Sequence, residues 1–253
     1  MRDAMADSIL FRIRRQDLPD SAPYWQDFAI PYRREHNVVS ALMAIRENPV
    51  TVDGRRVPPP VWESNCMEEV CGSCSMRING RARQACSALI DSLAQPIVLE
   101  PLGKFPVVRD LMVDRGVMFA NLRRVKAWIE IDGSWDVHTG APRLSPEEWD
   151  LNYALSRCMT CGCCMEACPQ FGPDRAFLGP APLAQVLLMN NHPTGRYSRA
   201  ARLHAIMGDG GLTDCSSAQN CVQVCPKKVP LTTALARLGR QTTAQAWRDI
   251  FGD

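Results

Sequence analysis

Residues 158–169 read CMTCGCCMEACP, and residues 215–226 read CSSAQNCVQVCP. Both segments space their cysteines in the same way and end in Cys-Pro, except that Ala218 replaces the second cysteine of the pattern. The spacing C-x2-C-x2-C-x3-C-P is typical of bacterial ferredoxins, which bind iron–sulfur clusters through cysteine thiolates. The two segments therefore form an internal repeat of the kind found in ferredoxins with two clusters.

The repeat also predicts how its cysteines are shared. In two-cluster ferredoxins the fourth cysteine of each segment binds the cluster of the other segment. One cluster then receives four thiolates, from Cys158, Cys161, Cys164 and Cys225. The other receives three, from Cys168, Cys215 and Cys221. Because alanine cannot bind iron, we expect a [4Fe–4S] and a [3Fe–4S] cluster, and a second [4Fe–4S] cluster with a labile iron is the alternative.

A further cysteine group lies earlier in the chain, where residues 66–74 read CMEEVCGSC. The spacing C-x4-C-x2-C with a distant fourth cysteine is typical of plant-type [2Fe–2S] domains. The expected ligands are Cys66, Cys71, Cys74 and Cys86. We expect Gly72 to let the backbone approach the inorganic sulfides. A zinc site of four cysteines is the alternative, although zinc sites usually pair two short C-x2-C segments.

The first part of the chain predicts a small mixed sheet with one helix. Strands are expected at Ile9–Arg15, Phe28–Tyr32, Ser75–Ile78, Arg81–Ala85 and Ile97–Glu100. Asn79-Gly80 is a strong two-residue hairpin signal between the third and fourth of these strands. Asn37 is a suitable N-cap for a helix that runs through Glu47.

After Pro106 the sequence favours helices. Ser145, Pro146 and Glu148 form a capping box with proline at the first helical position, so a helix should follow them. Further helices are expected at Ala181–Asn190, at Arg199–Met207 and at Leu231–Leu238, the last ending at Gly239. The predicted fold class is α+β, with a domain boundary between residues 1–114 and 115–253.

Composition narrows the possible functions. The chain has 253 residues, a net charge of +2 and no long basic run, which argues against nucleic-acid binding. Its 12 cysteines follow a start without the apolar stretch of a signal peptide, which favours metal binding over disulfides. No apolar stretch is long enough to span a membrane. Cys163 belongs to none of the three expected ligand sets, and we interpret it as a small buried residue rather than a reactive thiol.

The sequence contains no nucleotide-binding loop and no catalytic triad pattern. Its four histidines are scattered along the chain. Three cluster motifs without a catalytic pattern indicate an electron carrier. We therefore expect the substrate and the flavin to bind to another subunit.

This arrangement resembles the iron–sulfur subunits of succinate dehydrogenase and fumarate reductase. The resemblance covers nearly the whole chain and rests on four segments: 65–74 (NCMEEVCGSC), 106–111 (PVVRDL), 158–162 (CMTCG) and 221–227 (CVQVCPK). Residues 177–182, FLGPAP, are similar to the menaquinone-using branch of Gram-positive bacteria. The resemblance implies an N-terminal β-grasp ferredoxin domain and an all-α, bacterial-ferredoxin-like C-terminal domain.

The resemblance also implies partners and a place in the cell. A flavoprotein subunit with covalent FAD would oxidise succinate, and electrons would pass through the two-iron, four-iron and three-iron clusters to a quinone. The N-terminal domain would face the flavoprotein. The C-terminal domain would face a membrane anchor, often with heme b, which places this chain at the cytoplasmic side of the cell membrane as a peripheral subunit.

One departure concerns the quinone. Ubiquinone-using relatives carry two tryptophans where this chain has Gly172 and Pro173, and a histidine where it has Ser216. The usual side chains of the quinone site are therefore missing, and the sequence names no quinone ligand. Net fumarate reduction by the same subunit, or electron input into a different flavin-linked reductase, are the functional alternatives.

Overall fold

The computed structural model describes residues 8–130, 138 and 143–252. The chain divides into two compact units. Unit 1 comprises the described parts of Met1–Arg115 together with Met159–Ala167, and unit 2 comprises those of Gly116–Cys158 and Cys168–Asp253. Part of the start of the chain, where the sequence predicts no signal peptide, lies outside the described residues. The domain boundary expected after residue 114 stays a prediction.

Unit 1 is built on a five-stranded mixed sheet. Its strands are β1 (Ser8–Arg15), β2 (Tyr24–Pro31), β3 (Ser75–Ile78), β4 (Arg81–Gln84) and β5 (Ile97–Glu100). Their order is β2-β1-β5-β3-β4, with β1 and β5 parallel and the other neighbours antiparallel. All five predicted strands are confirmed, although β2 begins at Tyr24 rather than at Phe28.

One helix packs against this sheet. α1 (Val38–Glu47) begins after Asn37, as predicted, and Asn37 and Ser40 cap each other's backbone N–H groups. This reciprocal capping satisfies two donors that the first turn leaves without helical partners. The buried core between helix and sheet includes Phe11, Ile13, Phe28, Leu42, Met76 and Leu99.

A short hairpin follows the sheet, where the sequence favours a helix. Its strands are β6 (Val107–Arg109) and β7 (Met112–Val113). Asp110 joins them with a left-handed backbone, φ +49°. Its buried carboxylate accepts hydrogen bonds from Arg15 Nε at 2.8 Å and from the N–H groups of Gln16 and Val61 at 3.0 and 2.9 Å. The expectation of helix directly after Pro106 is wrong, because partners distant in sequence hold this turn.

The remaining elements are helices. They are α2 (Gly116–Arg124), α3 (Pro146–Ser156), α4 (Cys163–Ala167), α5 (Pro180–Asn191), α6 (Arg199–Met207), α7 (Asn220–Gln223) and α8 (Leu231–Phe251). All except α4 belong to unit 2. The predicted capping box at Ser145 is confirmed at the start of α3. Leu183, Leu203 and Leu238 are buried and join α5, α6 and α8 in the core of unit 2.

The last helix is longer than the sequence suggests. α8 continues through Gly239, the expected end, as far as Phe251. A glycine inside a helix costs about 1 kcal/mol relative to alanine. Beyond Gly239 the helix keeps tertiary contacts that offset this cost: Gln245 is buried, Gln241 accepts a hydrogen bond from Asn190 at 2.8 Å, and His204 Nε2 lies 2.9 Å from Asp249. Tertiary packing therefore overrides the local stop signal, and the predicted end at Gly239 is wrong.

Candidate metal centres

The first cysteine loop directs several backbone donors at one thiol. The Sγ of Cys66 accepts hydrogen bonds from the N–H groups of Glu68, Val70 and Cys71 at 3.4, 3.3 and 3.3 Å. Two residues of the loop, Met67 and Glu69, have left-handed backbones, with φ of +61° and +55°. Alternation of right- and left-handed residues forms an anion-binding concavity. This loop therefore has the shape and the donors to hold a thiolate.

Cys71 ionises easily for a thiol. Burial would raise its pKa, but the N–H of Cys66 and the hydroxyl and N–H of Ser73 favour the thiolate and lower the pKa to about 6. The Ser73 Oγ lies 3.0 Å from the Cys71 Sγ. The thiolate is the form that binds iron, so these hydrogen bonds favour the binding form of Cys71.

Cys74 and Cys86 are buried at one end of the hairpin formed by β3 and β4. The N–H of Ala85 donates to the carbonyl of Cys74 at 3.1 Å, which holds the two ends together. Burial raises the pKa of Cys74 to about 12, and interaction with the neighbouring Cys86 side chain contributes. A bound metal replaces this proton and so offsets the cost of the buried thiolate. The structure thus brings Cys66 to Cys71 and Cys74 to Cys86, all within unit 1.

Gly72 lies at a close approach of two backbone segments. It has φ +75°, and an added Cβ would lie 2.8 Å from the carbonyl oxygen of Met159 and 2.9 Å from the Cβ of Cys161. Its own carbonyl accepts hydrogen bonds from Arg115 Nη1 at 2.6 Å and from Ser75 Oγ at 2.8 Å. The contact with the second cysteine segment requires glycine here, and the expected approach to inorganic sulfide stays a prediction.

The second cysteine segment is divided between the units. Cys161 and Cys164 belong to unit 1, and Cys158 and Cys225 belong to unit 2. A hydrogen bond from the Cys163 thiol lowers the pKa of Cys161 to about 7, and this bond together with burial raises the pKa of Cys163 itself. In unit 2, the N–H of Val229 donates to the Sγ of Cys225 at 3.3 Å. Cys163 therefore favours ionisation of the neighbouring Cys161.

Cys168, Cys215 and Cys221 lie together in unit 2. Burial raises the pKa of Cys221, and electrostatic repulsion from Cys168 and Cys215 raises it further. A cavity of about 340 Å³ borders on Cys215 and Cys221. Its wall on α8 consists of Thr232, Leu235, Ala236 and Gly239. Three neighbouring thiols beside an open space fit a cluster with three protein ligands.

The internal repeat extends to the backbone conformation. The residues two and four positions after the first cysteine are left-handed in both segments. They are Thr160 and Gly162, with φ of +53° and +86°, and Ser217 and Gln219, with φ of +57° and +62°. A left-handed backbone is costly for residues other than glycine and persists where the surrounding structure enforces it. The shared conformation indicates that both segments form the same kind of anion-binding loop.

Sequence reasoning missed three polar residues near these thiols. Ser73 contacts Cys71, Gln84 contacts both Cys74 and Cys163, and the positive charge of Arg115 favours the thiolate of Cys161. Only Ser73 lies inside a cysteine motif. No local pattern marks Gln84 or Arg115, because their partners are distant in sequence.

The three loops offer thiolates surrounded by hydrogen-bond donors, and this chemistry suits iron–sulfur clusters. In the described part of the chain, no three cysteine, histidine or acidic side chains are close enough to bind a single metal ion. Over the same residues, no helix has both the length and the hydrophobicity that a bilayer crossing requires.

Two family models match the chain. Residues 10–120 match the 2Fe-2S iron-sulfur cluster binding domain, and residues 154–229 match the 4Fe-4S dicluster domain. Together the matched ranges contain every cysteine of the three groups. They confirm the predicted fold class, a ferredoxin domain with a sheet followed by a helical ferredoxin-like domain.

Relatives match over nearly the full length. The chain is 56% identical over 245 residues to the succinate dehydrogenase iron-sulfur subunit of Bacillus subtilis, covering 97% of this chain and 96% of the relative. The fumarate reductase iron-sulfur subunit of Mycobacterium tuberculosis is 33% identical over 251 residues, 98% of each chain. A chain of the Mycobacterium smegmatis Sdh1 complex in the apo form has the same fold, with a TM-score of 0.81 at 21% identity, covering 96% of this chain and 98% of that one. The chain belongs to the family of iron–sulfur subunits of succinate dehydrogenase and fumarate reductase.

Proposed function

We propose that this chain is the electron-transfer subunit of a succinate:quinone oxidoreductase. The observation that carries the proposal is the presence of three thiolate-binding loops, in family order, in a chain 56% identical to a succinate dehydrogenase iron-sulfur subunit. In this proposal the chain connects a subunit that oxidises succinate with a quinone.

We assign the cysteines to three clusters. Cys66, Cys71, Cys74 and Cys86 would hold [2Fe–2S]; Cys158, Cys161, Cys164 and Cys225 would hold [4Fe–4S]; Cys168, Cys215 and Cys221 would hold [3Fe–4S]. When bound, such clusters accept and release single electrons at potentials set by charge and hydrogen bonding. The protein's part is to keep these thiols ionised, to surround them with N–H donors and to shield them from water.

The partners follow from membership in the complex. A flavoprotein subunit supplies the FAD, and a membrane anchor subunit holds the complex at the membrane. We further propose that the FAD is covalently bound, that the anchor carries heme b and a nearby quinone, and that this chain lies at the cytoplasmic side of the cell membrane. In the same proposal, the domain of residues 1–114 faces the flavoprotein and the domain of residues 115–253 faces the anchor.

Purification of the native complex through a tag on this chain tests the function. We expect a covalently flavinylated subunit to co-purify, and succinate to reduce the two-iron cluster as seen by EPR. Malonate, a competitive analogue of succinate, serves as the control and should block this reduction. A preparation without a flavin-containing partner, or clusters that succinate leaves oxidised, would contradict the proposal.

Single substitutions test the ligand assignment. Cys221→Ala should abolish the three-iron signal and keep the two-iron signal, since the two sites share no cysteine. Cys163→Ala is the matched control, as it removes a buried thiol that we assign to no cluster. An unchanged three-iron signal in Cys221→Ala would show that the assignment is wrong.

The second candidate is the same subunit working as a quinol:fumarate reductase. The 33% identity to the fumarate reductase subunit of Mycobacterium tuberculosis favours it, although that relative is more distant than the Bacillus subtilis one. Comparing the rate of succinate oxidation with the rate of menaquinol-driven fumarate reduction in the intact complex distinguishes the two. A faster rate of fumarate reduction would favour the second candidate.

A further inference from the structure

Gln84 connects two of the cysteine groups inside unit 1. It is completely buried at the end of β4. Its Oε1 accepts a hydrogen bond from the Cys74 thiol at 3.4 Å, and its Nε2 donates to Ser75 Oγ at 2.7 Å and to the Cys163 Sγ at 3.6 Å. Cys74 belongs to the proposed two-iron set, and Cys163 directly precedes Cys164 of the four-iron set.

The contact between Gln84 and Cys74 has to change when a cluster is bound. The thiol form of Cys74 donates its proton to Oε1. An iron-bound cysteine is a thiolate, which can only accept hydrogen bonds. The present orientation of Gln84 would then set an oxygen acceptor against a sulfur anion. The Gln84 Oε1 would then be buried without a donor, which is costly.

A half-turn of the Gln84 amide removes this conflict. The last side-chain torsion of glutamine is roughly two-fold, so both orientations are accessible. After the rotation Nε2 faces the Cys74 Sγ, and Oε1 faces Ser75 and Cys163. Both of these residues can donate, through a hydroxyl and a thiol.

The rotation leaves the nearby carbonyl oxygens with donors. Ser75 now donates to the carbonyl of Gly72 at 2.8 Å, and after the rotation it donates to Gln84 instead. The Gly72 carbonyl keeps Arg115 Nη1 as a donor at 2.6 Å. The rotation gives up the hydrogen bonds from Nε2 to Ser75 and Cys163, but the carbonyl oxygens of Gly72 and Gln84 each keep a donor and the Cys74 Sγ gains one.

We propose that Gln84 of the assembled protein donates a hydrogen bond from Nε2 to the Sγ of Cys74 and thereby raises the reduction potential of the [2Fe–2S] cluster. The inference rests on the proposed role of Cys74 as a ligand. Reduction adds one negative charge to the cluster, and a donor to its sulfur stabilises the charged form. Gln84 is thus a positioning residue that acts on the cluster through Cys74.

The test is an EPR-monitored redox titration of the intact complex with Gln84→Leu. Leucine fills similar apolar space and cannot donate. We expect the equilibrium constant for reduction of the two-iron cluster to fall tenfold. For a one-electron couple this is a fall in midpoint potential of about 59 mV. Gln84→Met, which has a similar length and no N–H or O–H donor, should shift the potential in the same direction. Gln95→Leu, which removes an exposed glutamine bonded to the N–H of Leu10, should leave the potential unchanged.

A second measurement does not depend on assembly of a variant. Pulsed EPR of the wild-type complex, labelled with ¹⁵N in the side-chain amides of glutamine, should show one such nitrogen coupled to the reduced two-iron cluster. An unchanged midpoint in Gln84→Leu, or no glutamine coupling in the wild type, overturns the inference while the proposed function stands. Absence of any two-iron signal in the wild type would overturn the proposed function itself.

Discussion

Replacement of Gly72 by alanine should destabilise the protein through a single methyl group. The added Cβ would lie 2.8 Å from the carbonyl oxygen of Met159 and 2.9 Å from the Cβ of Cys161, closer than van der Waals contact. Forcing an extra carbon into such a site costs about 1–3 kcal/mol. The left-handed backbone at φ +75° adds about 1–2 kcal/mol for a residue with a side chain. Together these effects predict a loss of about 2–5 kcal/mol.

Gly80→Ala separates the two effects. Gly80 has nearly the same backbone, φ +78°, but nothing lies within 4 Å of an added Cβ. This variant should therefore lose only the backbone part, about 1–2 kcal/mol. The difference between the variants, about 1–3 kcal/mol, measures the close approach of Gly72 to the second cysteine segment.

Thermal unfolding of the complex, followed by the visible circular dichroism of its clusters, is the assay. A chain of this size shifts its Tm by about 2–4 °C for each kcal/mol. Gly72→Ala should lower the Tm by roughly 4–20 °C and Gly80→Ala by roughly 2–8 °C. Equal shifts in the two variants would refute the reasoning, because the close contact would then contribute nothing.

Three further substitutions address the buried ion pair and the ligand count. Asp110→Ala leaves the buried Arg15 without its carboxylate, so calorimetry should show a loss of about 3–5 kcal/mol in the free energy of unfolding. The control is Asp27→Ala, which removes an exposed carboxylate and should hardly change the Tm. Ala218→Cys restores the missing thiol, so Mössbauer spectra should show a four-iron cluster of lower potential in place of the three-iron one. An unchanged three-iron signal would mean that the pairing of the repeats is wrong. Cys163→Ala should retain all three EPR signals, and loss of any of them would contradict the view that Cys163 is dispensable for cluster binding.

Local signals in the sequence predicted the elements that local chemistry determines. The caps at Asn37 and Ser145 and the Asn79-Gly80 hairpin all depend on residues within one turn of each other, and all are present. The cysteine spacings likewise indicated that Cys66 lies near Cys71 and that Cys74 lies near Cys86.

Features held by distant partners could not be predicted. The β6–β7 turn depends on the bond between Asp110 and Arg15, which are 95 positions apart. Continuation of α8 through Gly239 depends on packing within unit 2. Gln84 reaches Cys163, 79 positions away, and a lone glutamine at the end of a strand carries no signal of that contact. Left-handed backbones at Met67 and Ser217 were equally hidden, since neither residue type favours them.

Quantitative EPR and Mössbauer spectroscopy of the purified complex, combined with metal analysis, tests the central claim most directly. The account predicts equal amounts of one two-iron, one four-iron and one three-iron cluster for each copy of this chain. Stoichiometric zinc, disulfide-bonded cysteines or a missing three-iron cluster would contradict it.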